Sequence, residues 1–316
     1  MAHKKSLQAL EITMRDIRKN DNLFDGALIL LAGDFRQTLP VIPRSTPADE
    51  LNACLKLSPL WRYVKVLRLR ENVRVQLQND PSAAVFSKQL LDIGNGAMAV
   101  NAATGMITFP ENFCRITQEK DELVQSVFPN IVQNYMDHDW LGERAILAGT
   151  NKDVTELNWS IQSKIPGDVV SYKSIDTVTN DDGVVHYSAE FLNSVDVPGL
   201  PPHNLRLKLM KNVIEATILK GKFKGEDVLI SPIPMIPTDM PFSFKRLQFP
   251  IRIAFAITIN KSQGQSMEIC GINLEYPVFS HGQLYVTCSR VGKPQALYIY
   301  AKDSQTKNIV YRKALN

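Results

Sequence analysis

This sequence has few cysteines and no long apolar run. Its four cysteines lie far apart and form no CxxC pair, so neither a zinc site nor a disulfide framework is indicated. No apolar run approaches the length that crosses a bilayer, and the first residues hold no apolar signal-peptide core. We therefore predict an intracellular protein with no membrane partner, whose reduced thiols pack in the interior.

Strong charge, internal repeats and compact basic clusters are also missing. The net charge of +4 is too small to identify a nucleic-acid partner by itself. Hydrophobic residues make up 44% of the chain and charged residues 22%, which is the balance of an ordinary folded protein. A chain of 316 residues is long enough for two compact domains. Local motifs must therefore carry the evidence for function.

Strand and helix patterns alternate along much of the chain, and this alternation predicts a parallel α/β fold. Short alternating runs from about Lys208 to Leu247 interrupt it and predict a small antiparallel insertion. The predicted helices lie at about residues 1–20, 82–98 and 153–165, and the predicted strands at 28–32, 61–69, 143–151, 249–259, 284–288 and 296–301. The proline-bearing segment 40–50 is predicted to be a loop.

Three of the predicted strands are followed at once by polar residues: LILLAGDFRQ, AFAITINKSQGQS and LYVTCSRVGK. In open parallel sheets, ligands bind beyond the carboxyl ends of the strands. Any one of these segments fits ordinary turn chemistry with a solvated charge. Their hydroxyl, amide and cationic groups suit phosphate oxygens, so their recurrence in one chain favours a site for a phosphate-bearing ligand.

The segments GDFRQTLPVI, LRENVRV, TNKDVTELN, ITINKSQGQS and LYVTCSRV resemble, in this order, the later motifs of superfamily-one DNA helicases of the petite-integration-frequency (PIF) type. The resemblance spans nearly the whole chain. It implies an α/β fold with tandem RecA-like domains of the P-loop NTPase type. Residues 1–75 correspond to a truncated first domain, and residues 76–316 to the second domain, with a reduced SH3-like β insertion at about 205–248.

The resemblance also implies an enzyme, an ATP-dependent DNA helicase that couples ATP hydrolysis to 5′–3′ translocation on single-stranded DNA and to duplex unwinding. The family context is DNA repair, recombination and telomere maintenance. The implied cofactors are ATP and Mg²⁺, and the implied partners are single-stranded and forked DNA. A monomer in the nucleus, or alternatively the mitochondrion, is expected on the same basis.

Residue roles follow from the same resemblance. Gln37 is the expected γ-phosphate sensor, and Arg74 and Arg290 are the expected arginine fingers, which stabilise charge on the transferring phosphoryl group. The implied nucleotide contacts are Gly33, Asp34, Gln37 and Gly264, and the implied DNA contacts are Thr258, Asn260, Lys261, Ser262 and Gln263. No metal ligand is assigned to this chain.

Two departures from the family pattern shape the expected activity. The phosphate cradle GxxxxGK[ST] and the magnesium-binding Asp-Glu pair are absent from these 316 residues, and the insertion has only Leu209 and Met210 where a longer segment is expected. We therefore expect a chain that begins just beyond the Asp-Glu pair and hydrolyses ATP poorly or not at all by itself. The alternative is a non-catalytic, transposon-derived remnant that binds single-stranded DNA. The basic turn at Lys220, Lys222 and Lys224 is predicted to be a solvated hairpin tip rather than a DNA contact.

Overall fold

A computed structural model describes residues 2–19, 22–42, 46–69, 81–178, 187–197, 199–208, 214–219, 221–237 and 240–315. Among these residues, every helix is too short or too polar to span a lipid bilayer. The α-helices are α1 (Lys4–Arg18), α2 (Pro47–Asn52), α3 (Pro81–Asn95), α4 (Lys120–Val127), α5 (Ile131–Asn134), α6 (His138–Gly142), α7 (Asn151–Lys164), α8 (Ala189–Ser194), α9 (Gln283–Cys288) and α10 (Arg312–Leu315). A 3₁₀ turn covers Ile259–Ser262.

The β-strands are short. They are β1 (Ile107–Thr108), β2 (Arg115–Thr117), β3 (Arg144–Ala148), β4 (Val170–Lys173), β5 (Ile175–Val178), β6 (Asn204–Leu207), β7 (Ile214–Thr217), β8 (Asp227–Ile230), β9 (Ile233–Met235), β10 (Phe244–Gln248), β11 (Ala256–Thr258), β12 (Ile269–Leu274), β13 (Leu297–Ala301) and β14 (Gln305–Thr306).

The chain divides into two compact units. Unit 1 comprises Met1–Pro129, Glu143–Val154 and Ile257–Asn316, and unit 2 comprises Asn130–Gly142 and Thr155–Ala256. The predicted domain boundary between residues 75 and 76 lies outside the described residues, so that division stays a prediction.

A five-stranded sheet forms the centre of unit 1, in the order β11-β3-β12-β13-β2. The pairs β3–β12, β12–β13 and β13–β2 are parallel. Ile146, Ile272 and Ile299, one from each of the three central strands, are all 0% exposed, as expected for a parallel sheet covered on both faces. The predicted α/β class with a parallel sheet is therefore confirmed.

Gly271 allows helix α4 to pack closely on this sheet. A Cβ atom added there would lie 2.6 Å from Val127 Cγ2 and 3.1 Å from Ile146 Cγ1. Leu123, Val124 and Val127 of α4 are buried. A side chain at position 271 would therefore push the helix away from strand β12.

The predicted strands 28–32 and 61–69 were wrong. Residues 27–34 and 64–69 lie outside helices and strands, and residues 59–63 form a 3₁₀ helix. Leu28, Leu30 and Leu69 are 98%, 86% and 100% exposed. Neither segment pairs with a strand of the described sheets, so their backbone has no ladder partner. An apolar run becomes a strand only where a ladder partner satisfies its backbone.

The segment 284–288 was also predicted wrongly, because it lies in helix α9 rather than in a strand. Leu284, Val286 and Cys288 are buried, and so are the intervening Thr287 and the preceding Gln283. A short helix buried on all sides has the same continuous apolar pattern as a buried strand, so periodicity cannot separate the two.

The other predictions of elements hold with small changes. The predicted N-terminal helix is α1, the helix at 82–98 is α3, and the helix after β3 is α7. Strand character at 249–259 is limited to β11. The loop prediction at 40–50 missed α2, which Thr46 caps through a reciprocal capping box with Asp49.

Unit 2 contains antiparallel ribbons and a three-stranded sheet. Strands β4 and β6 pair with each other, as do β7 and β8, and the sheet has the order β5-β10-β9. The predicted antiparallel insertion is therefore confirmed. Arg246 of β10, which is 1% exposed, donates to both carboxylate oxygens of Asp176 at 2.9 and 2.7 Å. This buried ion pair joins β10 to β5. Removing one of its two partners would leave a buried charge without a counter-charge and should strongly reduce the free energy of unfolding.

Candidate functional site

The loop of residues 33–40, here called the 33–40 loop, is ordered by the carboxylate of Asp34. Its Oδ1 accepts hydrogen bonds from the backbone N–H of Arg36 at 3.0 Å and from Arg36 Nη1 at 3.2 Å. Its Oδ2 accepts from the Tyr285 hydroxyl at 2.8 Å. Arg36 Nε in turn donates to Asn95 Oδ1 at 2.8 Å. The loop is thereby fixed to helices α3 and α9.

Tyr285 and Arg36 also leave little space around the end of α3. A Cβ atom added at Gly94 would lie 2.7 Å from Arg36 Cδ and 2.8 Å from Tyr285 Cδ2. Burial, together with the negative charge of Asp34, raises the pKa of Tyr285, so its hydroxyl remains a donor.

Gly282, immediately before α9, permits the closest backbone approach in this region. It has a φ of +73°, and a Cβ atom added there would lie 2.2 Å from Arg36 O and 2.7 Å from Gln37 C. The left-handed conformation and the space both favour glycine. The 33–40 loop therefore lies directly against the start of α9.

His281 adds a second connection to the same loop. Its Nε2 donates to Phe35 O at 2.9 Å, and its Nδ1 accepts from the backbone N–H of Tyr311 at 2.8 Å. These two bonds define a neutral imidazole with its proton on Nε2. Burial lowers the pKa of His281 in agreement with this assignment. The imidazole joins the 33–40 loop to the C-terminal segment.

The segment of residues 259–265, here called the 259–265 turn, contacts the 33–40 loop through a side chain. Gln263 Nε2 donates to the hydroxyl oxygen of Thr38. Ser262 is fully buried, and its hydroxyl donates to Ile259 O at 2.7 Å. Gly264 is exposed with a φ of +76° and open space around its Cα. Gln263 thus faces the loop, whereas Ser262 holds the turn together.

Arg290 binds the 259–265 turn to α9. Its Nη1 donates to Ser262 O and Gln265 O, both at 2.9 Å, and its Nε donates to Val286 O at 2.7 Å. A further bond joins Nη2 to Ser289 Oγ at 2.8 Å. The side chain is 7% exposed. Four of the five guanidinium N–H groups are therefore directed at groups of this chain.

The remaining predicted residues are less closely connected. Gln37 is half-buried within the 33–40 loop, and Gly33 is exposed at its start. Thr258 and Asn260 are half-buried and Lys261 is exposed. The Oδ1 atom of Asn260 is buried and has no hydrogen-bond partner among the described residues. Arg74 lies outside the described residues.

Four residues of this region were not predicted from the sequence: Asn95, His281, Gly282 and Tyr285. Each acts through a contact with the 33–40 loop, more than 50 positions away along the chain. The pair His281-Gly282 before an apolar run carried a weak signal of a turn entering a buried element. No local pattern indicates what Tyr285 or Asn95 binds.

The described residues of this arrangement provide no magnesium site of their own, and Arg290 is engaged within the chain. Among the described residues, no group of three or more His, Cys, Asp or Glu side chains could hold a metal ion. The guanidinium of Arg290 would have to leave two backbone carbonyl oxygens of the 259–265 turn before it could reach a phosphate. In this structure the donors of Arg290 therefore hold the 259–265 turn and the end of α9.

The fold is that of an α/β protein with a parallel sheet, and comparison with known proteins shows which family the chain resembles. Residues 1–104 match the family model of the PIF1-like helicases. The ATP-dependent DNA helicase Pif1 of Campylobacter jejuni is 26% identical over 217 residues, which cover 57% of this chain and 47% of that protein. The resemblance to PIF1-type superfamily-one helicases that the motifs predicted is confirmed.

The fold is also similar to that of solved helicase structures. The Pif1 helicase of Candida albicans matches with a TM-score of 0.63 at 19% identity, covering 100% of this chain and 73% of that one. A Bacteroides Pif1 helicase in complex with ADP-AlF3 and single-stranded DNA matches with a TM-score of 0.61 at 17% identity, covering 100% and 71%. The predicted RecA-like class is confirmed by these matches.

The chain spans about half the length of the curated relatives it matches: 47%, 51% and 47% of the first three.

Proposed function

We propose that this chain supplies the phosphate-sensing and DNA-coupling part of a PIF-type, ATP-dependent 5′–3′ DNA helicase. In this proposal, Gln37 reads the γ-phosphate, Arg290 stabilises the transferring phosphoryl group, and Lys261 contacts the DNA backbone. Single-stranded and forked DNA are the proposed partners, and ATP with Mg²⁺ the proposed cofactors. Roles in DNA repair, recombination and telomere maintenance, a monomeric state and a nuclear location belong to the same proposal.

One observation carries it: three segments that are far apart in sequence form one hydrogen-bonded chain within unit 1. The 33–40 loop is bonded to the 259–265 turn through Gln263, and that turn is bonded to the end of α9 through Arg290. A shift of any one of these segments must break or move the bonds of the next. Such a connected set is what coupling between a phosphate sensor and a DNA contact requires.

A chimera tests the helicase proposal. A RecA-like half that carries the phosphate cradle GxxxxGK[ST] is joined in front of residues 28–316 of this chain. We expect ATP turnover stimulated by single-stranded DNA, and a loss of roughly 10³-fold in Arg290→Ala, as for other arginine fingers. Gln37→Ala is expected to lose turnover in the same way.

Lys307→Ala is the matched control for these variants, since Lys307 is an exposed cation of unit 1 that forms none of the hydrogen bonds between the bonded segments. It should leave turnover unchanged. A folded chimera that binds ATP and shows no DNA-stimulated turnover would contradict the proposal. So would an Arg290→Ala chimera as active as its parent.

Nucleotide-independent binding of single-stranded DNA is the second candidate function for the isolated 316-residue chain. It is favoured by the geometry of Arg290, whose donors are taken by Val286, Ser262 and Gln265 instead of being open to a phosphate. The chain purified alone should show negligible DNA-stimulated ATPase activity. Its DNA affinity should fall steeply with salt, as expected for binding dominated by phosphate contacts. ATPase activity that disappears in Arg290→Ala would contradict this second function.

A further inference from the structure

A tryptophan–arginine pair lies on the surface of unit 2, where Trp159 directly follows the TNKDVTELN segment. The guanidinium carbon of Arg206 lies 3.8 Å from the centroid of the Trp159 ring. Trp159 projects from α7 and is 39% exposed, and Arg206 projects from the exposed face of β6. Planar groups stacked in this way form an amphipathic platform that a further planar group can extend.

The two-stranded ribbon β4–β6 gives this platform a polar, cationic face. Its register pairs Ser171 with Arg206 and Lys173 with Asn204, so these four side chains share one face of the ribbon. All four are exposed. The opposite face packs in an apolar cluster with Phe249 and Ile214. Of these four side chains two are cationic and none is a carboxylate, so the set carries positive charge.

Contacts with α7 hold the platform in place. Gln162 Nε2 donates to the backbone carbonyl of Arg206 at 3.2 Å, which fixes β6 against the helix. Lys208 Nζ binds the carbonyl oxygens of Ser163 and Ile165 at the end of α7. A platform that is already ordered loses little conformational entropy when a ligand stacks on it.

The basic turn that contains Lys224 also lies in unit 2, but part of its charge is neutralised within the chain. Lys224 of that turn binds the Asp139 carboxylate at 2.6 Å, which neutralises it in part. Among the described residues, no carboxylate forms an ion pair with Arg206 or Lys173. The charge of the ribbon face is therefore available to an external anion, whereas that of Lys224 is shared internally.

We propose that the face formed by Trp159, Lys173, Asn204 and Arg206 binds single-stranded nucleic acid, with one base stacked on the Trp159–Arg206 pair and adjacent phosphates contacted by Lys173 and Arg206. Aromatic stacking with flanking cations is the general means by which proteins hold single strands without reading their sequence. The inference rests on the proposed function in taking single-stranded DNA as the ligand. It assigns a separate contact site in unit 2.

Fluorescence anisotropy with the full 316-residue chain tests this site. The probe is a labelled oligothymidylate of about 12 nucleotides, within the range of known single-strand sites. Trp159→Ala should weaken binding about 5- to 100-fold, as expected for loss of one stacked base, and Trp159→Phe should restore most of it. Lys173→Ala should weaken binding and reduce the salt dependence by about one counterion.

Phe223→Ala and Lys222→Ala are matched controls, because this exposed aromatic and cationic pair of the basic turn belongs to the same unit. Both should bind like the parent. Circular dichroism of every variant establishes that unit 2 is folded. Wild-type affinity of folded Trp159→Ala and Arg206→Ala would overturn the proposal. So would equal affinity for an abasic phosphodiester chain of the same length, since that would remove stacking from the binding.

The two DNA contacts are distinguished by Lys261→Ala. Loss of affinity in Lys261→Ala with parental affinity in Trp159→Ala would retain the proposed function and reject the ribbon face. Loss in Trp159→Ala with parental affinity in Lys261→Ala would retain the ribbon face and reject the DNA contact of the 259–265 turn.

Discussion

Two short segments of unit 1, both rich in leucine, isoleucine and alanine, differ in structure. Residues 28–32 read LILLA and lie outside any helix or strand, with Leu28 and Leu30 almost fully exposed. Residues 144–148 read RAILA and form strand β3, in which Ile146 and Leu147 are fully buried. The comparison teaches that apolar content marks a candidate strand, while pairing on a sheet decides whether it becomes one.

The segment at 28–32 nevertheless leads into an ordered loop. The 33–40 loop that follows it is bonded to α3, α9 and the C-terminal segment. Order at residues 33–40 therefore comes from the later parts of the chain, and not from the apolar run before it.

Leucine-to-alanine substitutions should show the largest difference between the two segments, in the free energy of unfolding. Leu147→Ala removes a buried side chain from the core and should cost about 2–5 kcal/mol in the free energy of unfolding. Leu30→Ala should change it by less than about 0.5 kcal/mol, because Leu30 buries little surface. Urea denaturation followed by circular dichroism measures both. Equal costs in the two variants would mean that residues 28–32 are packed in solution.

The next largest difference is expected between alanine substitutions at two glycines. Gly33 begins the 33–40 loop, and Gly282 lies against that loop. Gly282→Ala should destabilise unit 1 by about 2–4 kcal/mol, since it combines a left-handed backbone with a clash against Arg36 O. Gly33→Ala is the matched control, because a Cβ atom there meets nothing within 4 Å. Thermal unfolding compares them. A Gly282→Ala variant as stable as the parent would show that the loop does not lie against α9.

Exposed leucines in unpaired segments should promote self-association. Leu30→Lys and Leu67→Lys should reduce aggregation in light scattering and leave the unfolding free energy within about 0.5 kcal/mol of the parent. Leu147→Lys is the buried counterpart and should prevent folding. Unchanged aggregation in both exposed variants would place the associating surface elsewhere.

The smallest effect concerns pH and the bond between His281 and the 33–40 loop. Because burial holds the pKa of His281 below the unfolded value near 6.5, its stabilising contribution is present above that pH. It is lost as the pH falls toward the lowered folded value, since the unfolded chain takes up the proton first. His281→Gln should remove this part of the pH dependence of the melting temperature. His138→Gln, at an exposed position, should retain it, and equal profiles in both variants would exclude His281 as the source.

Sequence patterns located the three longest described helices, α1, α3 and α7, and the antiparallel insertion, because these depend on local periodicity and short turns. Helix α7, with Leu157 and Ile161 buried four positions apart, is an example. The patterns failed at 28–32, which pair with no described strand, and at α9, which is buried on nearly every side. The motif residues of the candidate site were predicted from the sequence. Asn95, His281, Gly282 and Tyr285 were not, because each contacts residues that are far away in sequence.

The sequence by itself determined the order of the motif segments, their resemblance to PIF1-type helicases and the parallel α/β class. Motifs and periodicities are local, so they can be read without a fold. Only the tertiary structure decided that residues 28–32 are unpaired, that Arg290 binds the 259–265 turn, and that Trp159 and Arg206 stack in unit 2. Each of these depends on partners far away in sequence, and hydrogen bonds and burial between such partners exist only once the chain has folded.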